Sequence, residues 1–427
     1  MSVTKASADL AEQFSRALHE LGVVKPQSVI GLAVSGGGDS IAMMHMAARA
    51  VDPKRLRAVS VDHGLRPEAS TEIALVVGQA QELGIAHTAL GWDWDRKGNL
   101  QGAARQGRWA AMHDWAAQTG IDALLIGHTE DDQLETLLMR LARGSGIDGL
   151  TAMARVDLRD GLRVGRPLLG FARDALRDWL RAEQIGWCDD PSNDDPRFDR
   201  VRARQMYAQL ETLGLTRKRL LQTIDHMQAA QRSLRVAARD FARLHVRQDA
   251  GDLIFDPVAL DLSKDDAPRR VMAAAISWVA SRTYKPRFES LIARVEQLRK
   301  GQKVTLAGCV LLPLRGGGAR ILREAAATLP YTRPTGCTLA SMGIRWDQRW
   351  HLDGPVKDGL RVQALGDAGL RDCPDWRQCA MPQVSLLASP SVWLGDRLIA
   401  APLAGLSNGW SAQIVADFHS GAFGIED

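Results

Sequence analysis

The first half of the chain alternates short apolar runs with longer stretches in which apolar residues recur every three or four positions. SVIGLAV (28–34), RLRAVSVD (55–62), IAHTALGW (85–92) and IDALLIGH (121–128) read as strands, being short, rich in branched residues and bounded by turn residues. IAMMHMAARAV (41–51), TEIALVVGQAQELG (71–84), GAARQGRWAAMHDWAAQTG (102–120) and EDDQLETLLMRLAR (130–143) carry the helical period, with Gly84 and Gly120 as stops. Such alternation predicts an α/β fold, a doubly wound parallel sheet with helices on both faces.

The pattern changes after about residue 170. FARDALRDWLRAEQIG (171–186) is an amphipathic helix, and WCDDPSNDDPRFDRVRAR (187–204) is a polar, Pro- and Asn-rich segment with the character of a functional loop. Residues 203–247 and about 268–300 read as helical, followed by β-like KVTLAGCVLLPL (303–314) and, from about 331, short strands such as WHLDG, LRVQALG and SPSVWLGDRLIAAP. Three units are expected: residues 1–212, a helical 213–330, and a small α/β or mostly β 331–427.

Charge sharpens this division. The formal net charge of +4 resolves into −5 for residues 1–139, +6 for 140–250, +5 for 251–330 and −2 for 331–427. Of the 54 basic residues 44 are Arg, whose planar fork matches phosphate and stacks on bases. A GC-rich genome raises Arg everywhere but does not segregate charge, so the basic middle points to a nucleic acid or another polyanion. No apolar run approaches the roughly 18 residues of a membrane span, and the N-terminus lacks a secretory pattern, so a cytoplasmic protein with no membrane partner is expected. Five cysteines without a C-x-x-C pair disfavour a disulfide framework, a zinc ribbon or an iron–sulfur site.

The clearest chemistry lies between the first strand and the first helix, at Ser35-Gly36-Gly37-Gly38-Asp39-Ser40. Glycines allow a tight turn that presents backbone N–H groups, and the helix N-terminus adds positive partial charge, so an oxyanion such as phosphate fits there. The Walker A pattern fails, since no Lys occurs between Lys25 and Lys54, and the dinucleotide G-x-G-x-x-G spacing fails too. That spacing does occur at Gly144–Gly149, but after a helix rather than a strand, where it reads as a helix-terminating loop. The loop is similar to the PP-loop of the ATP pyrophosphatases, and that resemblance implies that it holds the β and γ phosphates of ATP, which makes them the leaving group, with Asp39 placed to help hold Mg²⁺.

A second constellation, Gly127-His128-Thr129-Glu130-Asp131-Asp132-Gln133-Leu134-Glu135, falls where the fourth strand meets its helix, the end at which doubly wound sheets bind ligands. Helix capping accounts for Asp131 or Asp132 but not for Glu135 as well. Asp132 and Glu135 lie three apart on one helical face, and beside an anionic nucleotide such a pair suits a cation, either Mg²⁺ or an amine. Asp62 and His63 end the second strand; Arg105 and Arg108 share a helix face and could reach a triphosphate or an RNA phosphate, a solvated face being the plain alternative.

The loop resembles the PP-loop of the ATP pyrophosphatases, whose S-G-G-x-D-S signature grips the pyrophosphate of ATP. SGGGDS, VDHGLR, AARQGRW, GHTEDDQLET, LARGSGIDGL, GRPLL (165–169) and DPSNDDPRFDRVRAR (190–204) follow the order and spacing of the tRNA(Ile)-lysidine synthases, and VWLGDRLIA (392–400) resembles that family's closing motif. Gln101 and Trp109 depart from that family's usual Glu and Tyr, and Arg200-Val201-Arg202 from its R-N-R. The resemblance implies ATP and Mg²⁺ as cofactors, and free L-lysine and a CAU-anticodon isoleucine tRNA as partners. It assigns Ser35, Gly36, Gly37, Gly38, Asp39, Ser40, Asp62, His63, Gly127 and His128 to the nucleotide, and Asp39 also to Mg²⁺. Asp132 and Glu135 would hold the lysine ammonium or take its proton before attack, and Arg108 and Arg200 would take the charge developing on the α-phosphate. A homodimer is left open.

Three other readings fare worse. Thiolation of tRNA needs reactive cysteines, and none precedes Cys188. A small-metabolite amidotransferase or synthetase leaves the basic middle unexplained. A non-catalytic RNA-binding protein leaves the complete loop and acidic motifs unexplained.

Overall fold

A computed structural model describes residues 3–62, 69–92, 100–189, 197, 199–281, 286–332, 343–355 and 357–423. The chain forms two compact units, Met1–Gln231 and Arg232–Asp427.

The first unit is built on strands β1 (Ile30–Ala33), β2 (Leu56–Asp62), β3 (Ala86–Gly91), β4 (Ala123–Ile126), β5 (Val156–Arg159) and β6 (Leu162–Gly165), in the spatial order β3-β2-β1-β4-β6-β5. Pairings β3–β2, β2–β1, β1–β4 and β4–β6 are parallel; β5 adds antiparallel to β6. The helices are α1 (Val3–Glu20), α2 (Gly38–Ala50), α3 (Ala69–Glu82), α4 (Leu100–Thr119), α5 (Glu130–Ala142), α6 (Ile147–Leu150), α7 (Arg173–Ala182), α8 (Asp199–Thr212) and α9 (Arg217–His245), the last divided by the unit boundary.

The apolar periodicity explains the layering. On one face of the sheet Phe14 and Leu18 of α1, Ile41 to Ala47 of α2, Val76 and Ala80 of α3, and Leu176, Trp179 and Leu180 of α7 close one core over Ile30 and Leu32. On the other, Trp109, Met112, Trp115 and Ala116 of α4 pack with Val59, Leu124, Leu162 and Val164. Burying side chains of that size stabilises by roughly 1.5–3 kcal/mol each, which fixes both helix layers on the sheet. The predicted doubly wound sheet is therefore present, and the chain steps from one side of β1 to the other between β3 and β4. That reversal opens a crevice at the carboxyl ends of β1 and β4.

The second unit pairs a five-stranded antiparallel sheet with two helices, then adds two smaller sheets. The first sheet runs β7 (Val246–Asp249), β8 (Asp252–Phe255), β11 (Ala319–Arg323), β10 (Cys309–Pro313), β9 (Val304–Leu306), and carries α10 (Asp266–Ala280) and α11 (Phe288–Arg299). The others are β12-β15-β16-β17 (Tyr331–Thr332, Leu360–Ala364, Pro390–Leu394, Arg397–Ala400) and β13-β14-β18 (Ile344–Trp346, Trp350–Asp353, Ser411–Ile414), packed through Trp346, Trp350, Leu352, Val362, Val392 and Trp410. Residues on the two sides of 330 are joined by buried polar contacts. Arg320 pairs with Asp252 at 2.7 Å, Ser385 donates to the same carboxylate, and Arg349 donates to the Gly251 carbonyl at 2.8 Å.

Candidate active site

The crevice at the ends of β1 and β4 collects most of the residues singled out above. Leaving β1, the chain turns at Gly36, whose φ of +88° is open to glycine at little cost; a Cβ there would also lie 3.2 Å from the Glu72 Cβ. The Ser40 hydroxyl ties the turn together, donating to the Gly37 carbonyl (2.9 Å), accepting from the Ser35 amide (3.1 Å) and standing 3.3 Å from the Ser35 hydroxyl. From outside, the Cys188 amide donates to the Gly36 carbonyl at 2.9 Å, and Gly37 and Cys188 form a single parallel bridge. No described side chain caps the N-terminus of α2, which starts at Gly38. A glycine-lined turn feeding an uncapped helix N-terminus has the geometry that can cradle an oxyanion.

Gly127, at the end of β4, abuts that cradle. A Cβ on it would stand 3.1 Å from the Asp39 carbonyl and from the Ser40 Cα, so only glycine lets the end of β4 approach the first turn of α2 undisturbed. The next residue, His128, has a buried Nδ1 that finds no hydrogen-bond partner among the described residues. Its pKa is held down at about 4: burial is the main cause, Asp132 opposes it, and Arg166, Arg200 and Arg105 reinforce it. His128 is therefore neutral at pH 7.

Helix α5 then presents its acidic first turns. The Asp132 Oδ2 accepts from the Thr129 amide (2.8 Å) and hydroxyl (3.0 Å), so Asp132 is in part the capping carboxylate. Its Oδ1 lies 3.8 Å from Arg200 of α8. Glu135, only 3% exposed, accepts from Arg204 Nε (3.0 Å) and Nη2 (2.8 Å). Asp131 accepts from the Arg173 amide and from Arg217 Nη2, each at 2.8 Å. Although burial acts to raise it, these bonds and the two guanidinium charges hold the Asp131 carboxyl below its ordinary range.

At the centre sits the guanidinium of Arg173, the first residue of α7. Its Nε donates to Asp39 at 3.0 Å, its Nη2 is 3.5 Å from Asp132 and its Nη1 3.6 Å from Glu135. Burial works against the charge, but Asp39, Asp132 and Glu135 outweigh it and push Arg173 above the ordinary arginine value. Burial nevertheless holds the Asp39 carboxyl above its ordinary range even with Arg173 upon it. The phosphate cradle and the acidic helix thus share one cation.

Beside the acids lies a cationic wall. Surrounding protein first, and then the charges of Arg105 and Arg200, push Arg108 of α4 below its ordinary value. Arg166 is lowered by burial, opposed by Asp157 and reinforced by Arg105 and Arg159. Arg159 stacks 4.0 Å over the Trp109 ring, whose Nε1 donates to Asp160 at 2.7 Å. Arginines that repel one another favour an anion between them. Asp62 closes β2, its carbonyl accepting from the Trp92 amide at 2.9 Å. His63 and residues 190–196 and 198 lie outside the described residues.

A family model described as a PP-loop domain matches residues 8–211. The tRNA(Ile)-lysidine synthase of Ruegeria pomeroyi is 44% identical over 399 residues, 91% of this chain and 92% of that protein. That of Wolbachia pipientis wMel is 32% identical over 339 residues, 75% and 76% of the two chains. The chain belongs to the tRNA(Ile)-lysidine synthases. Among solved structures, a U34-tRNA thiolase from Methanococcus maripaludis superposes with a TM-score of 0.43 at 16% identity, covering 51% of this chain and 78% of that one.

Sequence reasoning missed several parts of the site, Arg204 and Arg217 among them, and two others stand out. One is Arg173, four residues beyond GRPLL, which on an amphipathic helix reads as a solvated charge. The other is the β5–β6 hairpin carrying Arg159 and Asp160. Its signal was available, since Asp160-Gly161, both at positive φ, is the residue pair a two-residue hairpin turn prefers. The Gly144–Gly149 segment does end a helix, with Gly144 at φ +66° after α5.

Proposed function

We propose that this chain joins the ε-amine of free lysine to C2 of the wobble cytidine in the CAU anticodon of isoleucine tRNA, through an adenylated cytidine. The observation that carries the residue-level reading is the convergence of Asp39, Asp132 and Glu135 on a single cation beside an oxyanion cradle. One wall of the crevice suits a phosphate chain, the other a protonated amine.

In the first step the cytosine O2 attacks the α-phosphorus of ATP, and pyrophosphate leaves from the cradle formed by Ser35 to Ser40. Arg108 and Arg200 stabilise the negative charge gathering on the α-phosphoryl oxygens, as preorganised donors do. In the second step the lysine nitrogen attacks C2 and AMP leaves. Free lysine reaches the site as an ammonium, with an ordinary pKa near 10.4, so a base must take a proton before attack. Asp132 and Glu135 are assigned both tasks, holding the ammonium and accepting that proton. Gly127 and His128 line the nucleotide side.

Asp39 fits Mg²⁺, a hard ion commonly held by one or two carboxylates plus substrate phosphates. Among the described residues no group of three or more His, Cys, Asp or Glu side chains is arranged to hold a metal ion, so phosphate oxygens would complete the shell. When bound, the ion would neutralise phosphate charge. The arginines of 213–330, together with 331–427, are assigned to the tRNA, because a lone cytosine cannot distinguish one tRNA from another.

The test is direct. The protein is incubated with isoleucine CAU tRNA, ATP, Mg²⁺ and lysine, and the digested RNA is weighed by mass spectrometry. A cytidine heavier by lysine minus water supports the reading; unmodified cytidine on bound tRNA defeats it.

A further inference from the structure

We propose that the Arg173 guanidinium is a resident counter-cation occupying the acidic seat, and that the lysine substrate takes its place there by displacing it. The inference rests on the reading of Asp132 and Glu135 as the ammonium site.

The geometry gives Arg173 a role that neither the phosphate cradle nor helix capping requires. One guanidinium contacts carboxylates from two elements, Asp39 of α2 at 3.0 Å and Asp132 and Glu135 of α5 at 3.5 and 3.6 Å. Only the first is a close hydrogen bond; the other two are loose ion pairs that a smaller cation could replace without breaking good geometry. The main chain is anchored separately, since the Arg173 amide donates to Asp131, so the side chain can swing while the backbone stays. The carboxylates would not be stranded by that movement: Glu135 keeps Arg204, Asp132 keeps Thr129 and Arg200, and Asp39 would gain the ion accompanying ATP. In the empty enzyme the buried Asp132 and Glu135 and the partly buried Asp39 are crowded together, and Arg173 lowers the cost of keeping all three charged.

The charge arithmetic fixes the direction of the effect. The groups facing the seat are Asp39, Glu130, Asp131, Asp132 and Glu135, with Arg177 on α7 itself, Arg200 and Arg204 from α8, Arg217 from α9, and the neutral His128 beside Asp132. Removing the Arg173 charge leaves this set one unit more negative. A substrate ammonium then binds tighter but gives up its proton less readily. Arg173→Gln should therefore lower the lysine KM about tenfold, which is about 1.4 kcal/mol, while lowering kcat and moving the rising limb of the pH profile of lysine transfer to higher pH.

The experiment uses full-length wild type, Arg173→Gln and Arg173→Lys with tRNA, ATP and Mg²⁺. Lysine KM and kcat are measured across pH, and pyrophosphate release without lysine reports the first step separately. Arg173→Lys keeps a cation but cannot span three carboxylates, so its KM should fall about threefold. It also serves if the Gln variant does not fold. Methylguanidinium should inhibit Arg173→Gln competitively with lysine, at concentrations that spare wild type. An unchanged or raised lysine KM in either variant, or inhibition not competitive with lysine, overturns the proposal. Wild type that makes no lysidine would instead sink the reading of the site, so the two failures are distinguishable.

Discussion

Replacing Glu135 by Gln should divide the reaction in two. The side chain is 3% exposed and accepts two bonds from Arg204, at 3.0 and 2.8 Å, with Arg173 at 3.6 Å. Gln keeps the volume and an accepting oxygen, so what is lost is the charge. A hydrogen bond to a charged group is worth about 1 kcal/mol more than a neutral one, which sets the loss near 2 kcal/mol for two bonds. Arg204 is 40% exposed, and water would take up part of what it loses, so about 1–2 kcal/mol is expected. For a unit of this size that is a melting shift of roughly 2–8 °C, readable by calorimetry. The catalytic effect should be larger, because a lost proton acceptor costs about 10²–10⁴-fold. Lysidine formation should fall by at least about 100-fold, while lysine-independent pyrophosphate release stays within a few-fold of wild type. Equal loss of both steps, or full lysidine formation in the variant, would refute the assignment.

Gly127→Ala should fold, yet lose about tenfold in pyrophosphate release, because its Cβ must push the Asp39 and Ser40 backbone from 3.1 Å contacts; wild-type release would show that the loop yields freely. His128 should titrate near pH 4 by NMR. Its folded pKa lies below the unfolded value of about 6.5, so its stabilising contribution is complete above pH 6.5 and is lost progressively as pH falls towards 4, about 3 kcal/mol in all; a midpoint near 6.5 would contradict the burial argument. Affinity for tRNA should drop at least about tenfold between 50 and 200 mM salt, and a flat response in a filter-binding assay would remove the basic residues from the tRNA interface.

What was legible in the sequence, and what was not, follows from where the information sits. The PP-loop was readable because its residues are demanded by their own backbone: a turn at φ +88° wants glycine, and a phosphate-bearing helix start wants small residues. The α/β alternation was readable because burial imposes a period on each element. Arg173 obeys no such local rule. Asp39, its bonded partner, lies 134 residues away in the chain, and only the packing of α7 on α2 brings the two together. The same holds for Arg204 and Glu135, 69 residues apart. This alters the meaning of the regional charges. The segment 140–250 carries +6, read from sequence as a grip on tRNA, yet Arg173, Arg200, Arg204 and Arg217 all face carboxylates of α5, the acidic helix of the preceding segment. Much of the charge segregation along the chain is thus one half of the active site neutralising the other. The salt dependence of tRNA binding should therefore be set by the remaining arginines, and be shallower than the regional sum implies.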